Sequence, residues 1–448
     1  MNFQSGEVQS SWRQWVGAAA ASSILLHQSL ELPWVSQSDT SDSIAAVPRI
    51  RDGSLFILGT VVGAVLADTF GRKKVLQSSS IFVVLRMLSF IFQEASWVWI
   101  VDLFIQIGSG LTCTVVPVYI SEIAGTKNRP HLLVLQLLAF GLGMFTAMIG
   151  FAGLLASESP TVGDIFDGAV LAVSVVFFVV TLSFYPETPY YLNAKQRYQE
   201  AARSVAFLTG IRHVKIREDN ATTVQLIRAN TPSDLNIGWC GKIQEVMKFP
   251  NRKSLAIIFT IIMLRWSSGQ QRNDAVLWYY CTRNNLMNIT GSLLITYGIR
   301  VVLISFIVAD IRIFTRKISV LLIVIASFVV GIAGMIPFDG NTWLVISVFS
   351  LQHFVHLILI GVTLAYTGLF FPTSVRALAI AIVLSFEIFI RNLSIVSQTL
   401  VLPTLSLYVN AGALFVGFFM MLIVFPKVNK LPNFEMDIDT SGEVLCLS

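Results

Sequence analysis

Residues 53–93 read GSLFILGTVVGAVLADTFGRKKVLQSSSIFVVLRMLSFIFQ, two apolar runs on either side of a charged turn. The run at 75–93 is long enough to cross the hydrocarbon core of a bilayer as a helix, which takes about 18 residues or more. The run at 53–67 is shorter and also apolar. The turn between them holds one acid, Asp68, and the three consecutive cations of Arg72–Lys74. This pattern predicts two adjacent membrane-spanning helices joined by a short charged connection.

The composition extends this prediction to the whole chain. Of its 448 residues, 54% are hydrophobic and only 13% are charged, and the mean hydropathy is +0.71. A soluble protein carries about a quarter charged residues, so lipid is expected to be the main solvent of this chain. The net charge of +5 does not indicate nucleic-acid binding, because membrane proteins concentrate Lys and Arg on one side of the bilayer.

Several classes of function are disfavoured by motifs that the sequence lacks. Its four cysteines form no CxxC pair, so neither a zinc site nor a disulfide framework is expected. The sequence has no GxxxxGK[ST] phosphate-binding loop, which disfavours a pump driven by nucleotide hydrolysis. A nucleophile elbow and a His/Asp metal cluster are also missing. We therefore expect no enzyme, no metal and no cofactor.

Apolar runs between polar breaks predict an all-α membrane protein with twelve transmembrane helices in two six-helix bundles. The first bundle is expected within residues 1–185, a helical cytoplasmic linker at 186–252, the second bundle at 253–425 and a tail at 426–448. The runs lie near 13–35, 53–67, 75–93, 97–120, 131–156, 166–185, 254–281, 290–309, 317–338, 342–370, 377–401 and 404–425.

The positive charges predict the orientation of the chain in the membrane. Arg49, Arg51 and Arg283 fall in loops on one side, and the other loop cations fall on the opposite side. The positive-inside rule assigns that basic side to the cytosol. Both termini and the linker are therefore expected in the cytoplasm of a multi-pass plasma-membrane protein.

Three segments outside the predicted spans carry further signals. Residues 195–208 and 240–248 of the linker have the pattern of short amphipathic helices. Their basic faces favour a solvated or headgroup-facing surface over a nucleic-acid patch. Asn288 begins an Asn-Ile-Thr sequon in a predicted outer loop, which makes it a candidate glycosylation site.

Three clusters of acids and bases fall on the predicted cytoplasmic side. The first is Gly63-x4-Asp68-x2-Gly71-Arg72-Lys73, in which glycine permits a tight turn and the acid can form charge-assisted bonds with the cations. On composition alone, its cations could equally be topology signals only.

The second cluster, Pro117-Val-Tyr-Ile-Ser-Glu122, is followed seven residues later by Arg129. The third, Pro186-Glu187-Thr188-Pro189, forces the chain away from the helix before it, because a helix cannot run unbroken through two prolines. The three clusters together predict a cytoplasmic gate.

With these motifs the sequence resembles the sugar porter family of the major facilitator superfamily, which includes facilitative glucose and insect trehalose carriers. The resemblance implies an alternating-access carrier, either facilitative or proton-coupled, for a small-molecule sugar. It also implies that the clusters form the gate. The matching residues are Asp68, Gly71, Arg72, Lys73, Pro117, Tyr119, Ser121, Glu122, Arg129, Pro186, Glu187 and Pro189.

The resemblance is weaker where the family contacts sugar. Asp102 stands where the family usually has Arg. In the second half the corresponding gate motif has decayed to residues 310–317, DIRIFTRK, although Phe371-Pro372-x3-Arg376 persists. Amide side chains suit sugar hydroxyls because they both donate and accept hydrogen bonds. The candidate substrate residues are Gln136, Gln270, Gln271, Asp274 and Trp278. For Trp278 the alternative is a structural role as an interface anchor.

Ionisable residues within the predicted spans leave other functions open. Glu387 and Arg391 are four residues apart and are expected to pair on one helix face. Arg265, Arg272 and Asp274 cluster in the seventh span, where they could serve a charged organic solute. A transport-deficient sensor or scaffold is a further alternative, because the second half has lost several family motifs.

Overall fold

The computed structural model describes residues 12–26, 46–91, 97–125, 128–157, 160–209, 238–248, 251–267, 289–314, 323, 325–326 and 342–400. Within these ranges the chain is helical and no strand is assigned. Predicted spans nine and twelve lie almost wholly or wholly outside the described residues. So do Gln270, Gln271, Asp274, Trp278 and the sequon residue Asn288.

In the described part of the first half, the helices between Arg72 and Phe184 begin and end close to the predicted breaks, whereas the first helix covers only part of the predicted run at 13–35. The helix bounds in this half are α1 Trp12–Ser23, α2 Ala46–Phe70, α3 Arg72–Ile91, α4 Val98–Ile123, α5 Arg129–Ser157 and α6 Pro160–Phe184. Helix α2 begins seven residues before the predicted span at 53–67. Pro48 lies in its first turn, where a missing N–H breaks no helical hydrogen bond.

Short helices follow the first half, and long helices then resume. The short ones are α7 Pro189–Ala194, α8 Tyr198–Thr209 and α9 Trp239–Met247, and the long ones are α10 Asn251–Ser267, α11 Ile289–Phe314, α12 Thr342–Phe370 and α13 Arg376–Leu400. The amphipathic predictions at 195–208 and 240–248 are thus confirmed as α8 and α9. Helix α11 bends at Asp310, which has non-helical backbone angles.

Several of these helices suit a bilayer by length and hydropathy. In the described part of the chain, Arg51–Phe70, Trp99–Ile123 and Arg129–Gly150 are long and apolar enough to cross a membrane. Gly168–Phe184 and Phe354–Phe370 are shorter apolar segments. The division into domains at 185, 252 and 425 remains a prediction.

Helices α2 and α4 cross at backbone contact, and glycines make this approach possible. A Cβ atom on Gly59 would lie 2.0 Å from the carbonyl oxygen of Ile107, and one on Gly110 would lie 2.0 Å from that of Phe56. A Cβ on Gly63 would lie 2.9 Å from Cα of Leu111. Gly59 and Gly63 have the small-xxx-small spacing that brings membrane helices together. Gly63 thus belongs both to the charged turn motif and to a helix crossing that the motif does not indicate.

The apolar core falls into two large clusters with a small one between them. One includes Phe178 and Tyr119 of the first half, and another includes Ile258 and Val362 of the second. The small cluster joins the halves, because its members come from both and the partly buried Trp239 of α9 packs against it. Its buried members are Ala64, Val118, Ala377, Ile380 and Ala381.

Contacts between the halves are densest along two helix pairs. Helix α2 meets α13, where the hydroxyls of Thr60 and Ser385 lie 2.9 Å apart. Helix α5 meets α11, where a Cβ on Gly141 would lie 2.5 Å from Cδ1 of Ile304. These pairs bring together the ends of α2, α4 and α13 that carry the predicted gate motifs. We call this end of the helices the motif end.

Candidate functional site

Arg72 lies at the centre of a buried group of charges at the motif end. Its Nε and Nη2 donate to Oε1 of Glu122 at 3.2 and 3.1 Å, and Nη2 lies 3.0 Å from Oδ1 of Asp68. Its Nη1 donates to the carbonyl of Ala67 at 3.0 Å. The guanidinium stays ionised in proteins, so it needs these acceptors when it is buried. Arg72 therefore ties together α2, α3 and α4.

Gly71 places Glu187 at the start of α3. Its φ of +103° lies in the region that glycine adopts readily, and a Cβ there would lie 2.6 Å from Oε2 of Glu187. The backbone N–H of Lys73 donates to both oxygens of that carboxylate, at 3.0 and 3.1 Å. An acid at a helix N-terminus is favoured by the helix dipole. The chain after α6 is thereby fastened to α3.

Three further bonds fasten the same segment. Lys73 Nζ donates to the carbonyls of Ser183 and Tyr185, at 3.2 and 2.6 Å, where α6 ends. A cation at this position satisfies carbonyls that have no helical partner. The hydroxyl of Thr188 donates to Oε2 of Glu122 at 2.6 Å. All three sequence motifs of the first half thus meet in one hydrogen-bonded group.

Helix α9 of the linker supplies a partner that the motifs do not contain. Lys242 Nζ lies 2.5 Å from Oδ2 of Asp68, and both side chains are nearly nine-tenths buried. The same ammonium lies 5.0 Å from the ring centroid of Trp239, which packs at the junction of the two halves. The linker therefore contacts the first half through a charge and the junction through an aromatic ring.

Arg376 connects the second half to this group. Its Nη1 donates to Oγ of Ser121 on α4 at 3.3 Å, while Nε and Nη2 donate to the carbonyl of Phe371. A second bond between the halves joins Nδ1 of His131 to the carbonyl of Val308 at 3.0 Å. Since a carbonyl only accepts, that histidine nitrogen must carry the proton. These contacts close the motif end.

Arg129 differs from the other predicted gate residues. It is buried, yet no carboxylate in the described ranges forms a salt bridge with it, and its Nε has no hydrogen-bond partner there. Its charge repels that of Arg376, which Glu122 attracts. The closed motif end therefore contains a repulsion between two buried arginines.

Burial raises the pKa of Glu187 above its ordinary value of 4.5. The hydrogen bonds from the backbone N–H groups of Lys73 and Thr188 and the charge of Arg72 oppose this rise, while the charge of Glu122 adds to it. Loss of solvent is the largest of these effects, because water stabilises an ionised carboxylate better than the buried site does. Protonation of Glu187 is thus more favourable in the folded protein than in water.

The structure brings most predicted gate residues into one place. We call the resulting set the charge cluster; its members are Asp68, Arg72, Lys73, Glu122, Arg129, Glu187, Lys242 and Arg376. Sequence reasoning missed Lys242 because the basic positions of residues 240–248 suggested only a surface. Of the candidate substrate residues, the described one is Gln136, which is buried and donates to the carbonyl of Leu133 on its own helix.

Arg265 and Asp102 form ion pairs away from the motif end. Arg265 on α10 pairs with Glu387 on α13, and its side chain is almost fully buried. The sequence predicted an Arg391 partner for Glu387 on the same helix, whereas this ion pair crosses between two helices. In the first half, Asp102 pairs with Arg86 of α3 at 3.4 Å. The acid that replaces the family's usual arginine thus has a cation opposite it.

A match to one protein-family model identifies the family of the chain. The family model described as "Sugar (and other) transporter" matches residues 11–439, which is nearly the whole chain. The chain belongs to this transporter family. The family model therefore covers the charge cluster and the second half, in which several of the family's motifs have changed.

Relatives within and near the family are similar over parts of their length. A putative sugar transporter, ERD6-like 13, of Arabidopsis thaliana is 34% identical over 35% of this chain and 32% of its own. The facilitated glucose transporter member 5 of Bos taurus is 26% identical over 62% of this chain and 51% of its own. Solute carrier family 22 member 16 of Xenopus laevis is 25% identical over 73% and 56%. The chain thus spans less than two thirds of the curated relatives that it matches.

Solved structures show the fold of the family. The proton:xylose symporter XylE with bound 6-bromo-6-deoxy-D-glucose has a TM-score of 0.67 at 17% identity, covering 94% of this chain and 96% of its own. The human organic anion transporter MFSD10 has a TM-score of 0.58 at 13% identity, covering 92% and 99%. The chain therefore has the fold of the major facilitator superfamily.

Proposed function

We propose that this protein is an alternating-access carrier for a neutral sugar, a hexose or trehalose, and that its transport is facilitative. The observation that carries the proposal is the charge cluster, which joins both halves at one end of a chain of the sugar transporter family. A carrier must open and close its two ends in turn. Hydrogen-bonded charges can perform this task because they hold one arrangement and are rehydrated in the other.

In this proposal the motif end is the cytoplasmic gate and the protein resides in the plasma membrane. The positive loops of the sequence support this orientation. Inward opening would separate Arg376 from Ser121 and His131 from Val308, because these bonds cross between the halves. Bonds inside the first half, such as Arg72 with Glu122, can persist and keep that bundle rigid.

The proposed substrate residues are Gln136, Gln270, Gln271, Asp274 and Trp278. Gln136 lies on α5, which packs against α11 and α12 of the other half, so it is near the path between the bundles. Amides and a carboxylate suit hydroxyl-rich solutes. Replacement of Gln136 by Leu should raise KM for the sugar while leaving the folded protein intact.

Uptake by the purified full chain in liposomes tests the proposal. We expect saturable flux of labelled glucose or trehalose that continues when a protonophore is added at a fixed sugar gradient. Loss of uptake with the protonophore would show proton coupling and overturn the facilitative part. Sugar binding without flux would favour a sensor, and the absence of both binding and flux would reject the sugar proposal.

A second candidate function, transport of a charged organic solute, is favoured by one observation. The Arg265–Glu387 pair, of which the arginine side chain is almost fully buried, lies within the second half, where a charged group is costly unless it is paired or has a function. In a carrier of this kind, a charged group on the solute could replace one member of the ion pair as the partner of the other. Uptake inhibited by organic anions or cations, and not by sugars, would support it against the first candidate.

A further inference from the structure

A cavity of about 240 Å³ opens at the motif end beside the charge cluster. It lies between the start of α3 and the linker helices α7 and α8. Its lining residues are Phe70, Lys73, Lys74, Gln77, Glu187, Tyr191, Leu192, Arg197 and Glu200. The cavity is distinct from the path between the halves, because all of its walls come from the first half and the segment that follows it.

Most charges in this cavity already have partners. The Glu187 carboxylate accepts from backbone N–H groups, and Lys73 Nζ donates to two carbonyls. Arg197 forms two bonds with Glu200 across one helical turn, at 2.8 and 2.5 Å. These groups therefore already form hydrogen bonds or ion pairs within the protein.

Two hydrogen-bond donors in the cavity, Lys74 and Gln77, form no such bonds within the described ranges. Lys74 is exposed, and within the described ranges its ammonium forms no salt bridge. Gln77 lies three residues further along α3, and its side chain likewise has no hydrogen bond to the described part of the chain. Residues three apart lie on the same face of a helix. An ammonium and an amide that point the same way can hold one anionic group with several acceptor oxygens.

The same face of α3 continues into an apolar stripe. Ile81, Val84 and Leu88 are 59%, 41% and 38% exposed and follow Gln77 at spacings of four, three and four residues. That spacing keeps them on one side of the helix. In a membrane protein, an exposed apolar stripe of this kind faces acyl chains.

Exposed apolar side chains also lie near the cavity on α2 and α6. Phe70 at the end of α2 lines the cavity and is 61% exposed, and Phe184 at the end of α6 is 78% exposed. Exposed Val173, Val176 and Val180 precede Phe184 along α6. The cavity thus lies where two apolar surfaces reach the level of the headgroups.

We propose that this cavity binds the headgroup of an anionic phospholipid, with Lys74 and Gln77 holding its phosphate and Ile81, Val84 and Leu88 contacting an acyl chain. An anionic lipid matches both the polar and the apolar part of the site, whereas a free phosphate would contact only the polar part. In the proposed orientation the cavity opens to the cytoplasmic leaflet, which is the one rich in anionic lipid.

Binding to the full chain in nanodiscs tests this site without any transport assay. Lipid retention by native mass spectrometry would be compared in phosphatidylcholine alone and in phosphatidylcholine mixed with phosphatidylserine. We expect retention of phosphatidylserine, and weakening of its binding by about fivefold in Lys74→Gln, since one lysine at an anionic surface contributes on this scale. Gln77→Leu should weaken it as well, because Leu keeps the helix and removes the amide.

The matched control is Lys253→Gln on α10, which removes a charge from the same end of the other half. Retention of phosphatidylserine that falls equally in Lys253→Gln and Lys74→Gln would overturn the proposal. Non-specific electrostatic attraction between the protein's positive charges and the anionic lipid would then explain the binding. Full competition by inorganic phosphate or glycerophosphoserine would also overturn it by showing an anion site without lipid. Nanodiscs expose both leaflets, so failure of the proposed orientation or of sugar transport does not affect the result.

Discussion

Among single residues, Lys242 most directly tests the link between the linker and the charge cluster. Lys242→Met keeps the apolar stem and removes the ammonium that lies 2.5 Å from Asp68. We expect the gate equilibrium to shift toward the open form by roughly 5- to 30-fold, which corresponds to about one or two kcal/mol. The measurement is the alkylation rate of a cysteine placed at Val118, which is fully buried when the motif end is closed.

The control for this prediction lies on the same linker segment. Lys248 is exposed and pairs with Glu245 three residues before it, so Lys248→Met should leave the alkylation rate unchanged. Equal rates in Lys242→Met and the parent protein would show that the contact with Asp68 does not hold the gate.

Glu187 gives the folded chain a predictable response to pH. Since burial raises its pKa in the folded protein, this group's contribution to stability is full below its ordinary value of 4.5 and is lost as pH rises through the raised value. Mild acidification from neutral pH should therefore raise the midpoint of thermal unfolding in detergent. In Glu187→Gln, which has no carboxylate at this position, the rise should be smaller. A rise as large in Glu187→Gln as in the parent protein would mean that another group is responsible.

At the level of helices, the crossing of α2 and α4 depends on the glycines between them. Gly59→Ala would place a methyl group 2.0 Å from the carbonyl oxygen of Ile107, so the helices must separate. We expect a loss of about 1–3 kcal/mol in stability from this overpacking, seen as a lower midpoint of thermal unfolding in detergent.

Gly168→Ala is the comparison variant, because a Cβ there meets no atom within 4 Å. Its unfolding midpoint should equal or exceed that of the parent, since alanine favours a helix over glycine. A similar loss in both variants would mean that helix crossing is not the cause.

Helices were the part of this fold that sequence could predict well. Apolar runs fix their approximate bounds, and glycine and proline mark their ends. The contact between Gly59 and Ile107 was not predictable, because GxxxG spacing does not reveal which helix it meets. The pairing of Glu387 with Arg265 was missed for the same reason: spacing along one helix cannot show a partner on another.

For the whole molecule, relative motion of the halves is the central expectation. The hydroxyls of Thr60 and Ser385 are 2.9 Å apart across α2 and α13. A double variant, Thr60→Cys with Ser385→Cys, should form a disulfide on oxidation with little distortion. We expect uptake to fall at least tenfold when the halves are linked and to recover with a reductant. Full uptake by the linked protein would mean that transport does not separate this pair.

The sequence predicts most members of the charge cluster, but not how all of them come together in the folded molecule. The three motifs of the first half identified its charges, and the family resemblance indicated that they meet. Lys242 lies 174 residues from Asp68 in the sequence, on a helix whose own pattern signals only an amphipathic surface. Its role depends on tertiary contact, which a single sequence does not contain.

The balance of charge at the motif end has a consequence for membrane voltage. Five members of the charge cluster, Arg72, Lys73, Arg129, Lys242 and Arg376, are cations, and three, Asp68, Glu122 and Glu187, are anions. This excess of positive charge would move with the helices when the gate changes state. An elementary charge that crosses the full membrane field changes the free energy by about 2.3 kcal/mol per 100 mV. The rate at which an uncharged solute crosses should then depend on voltage, and gating should produce a transient current even though the solute carries none.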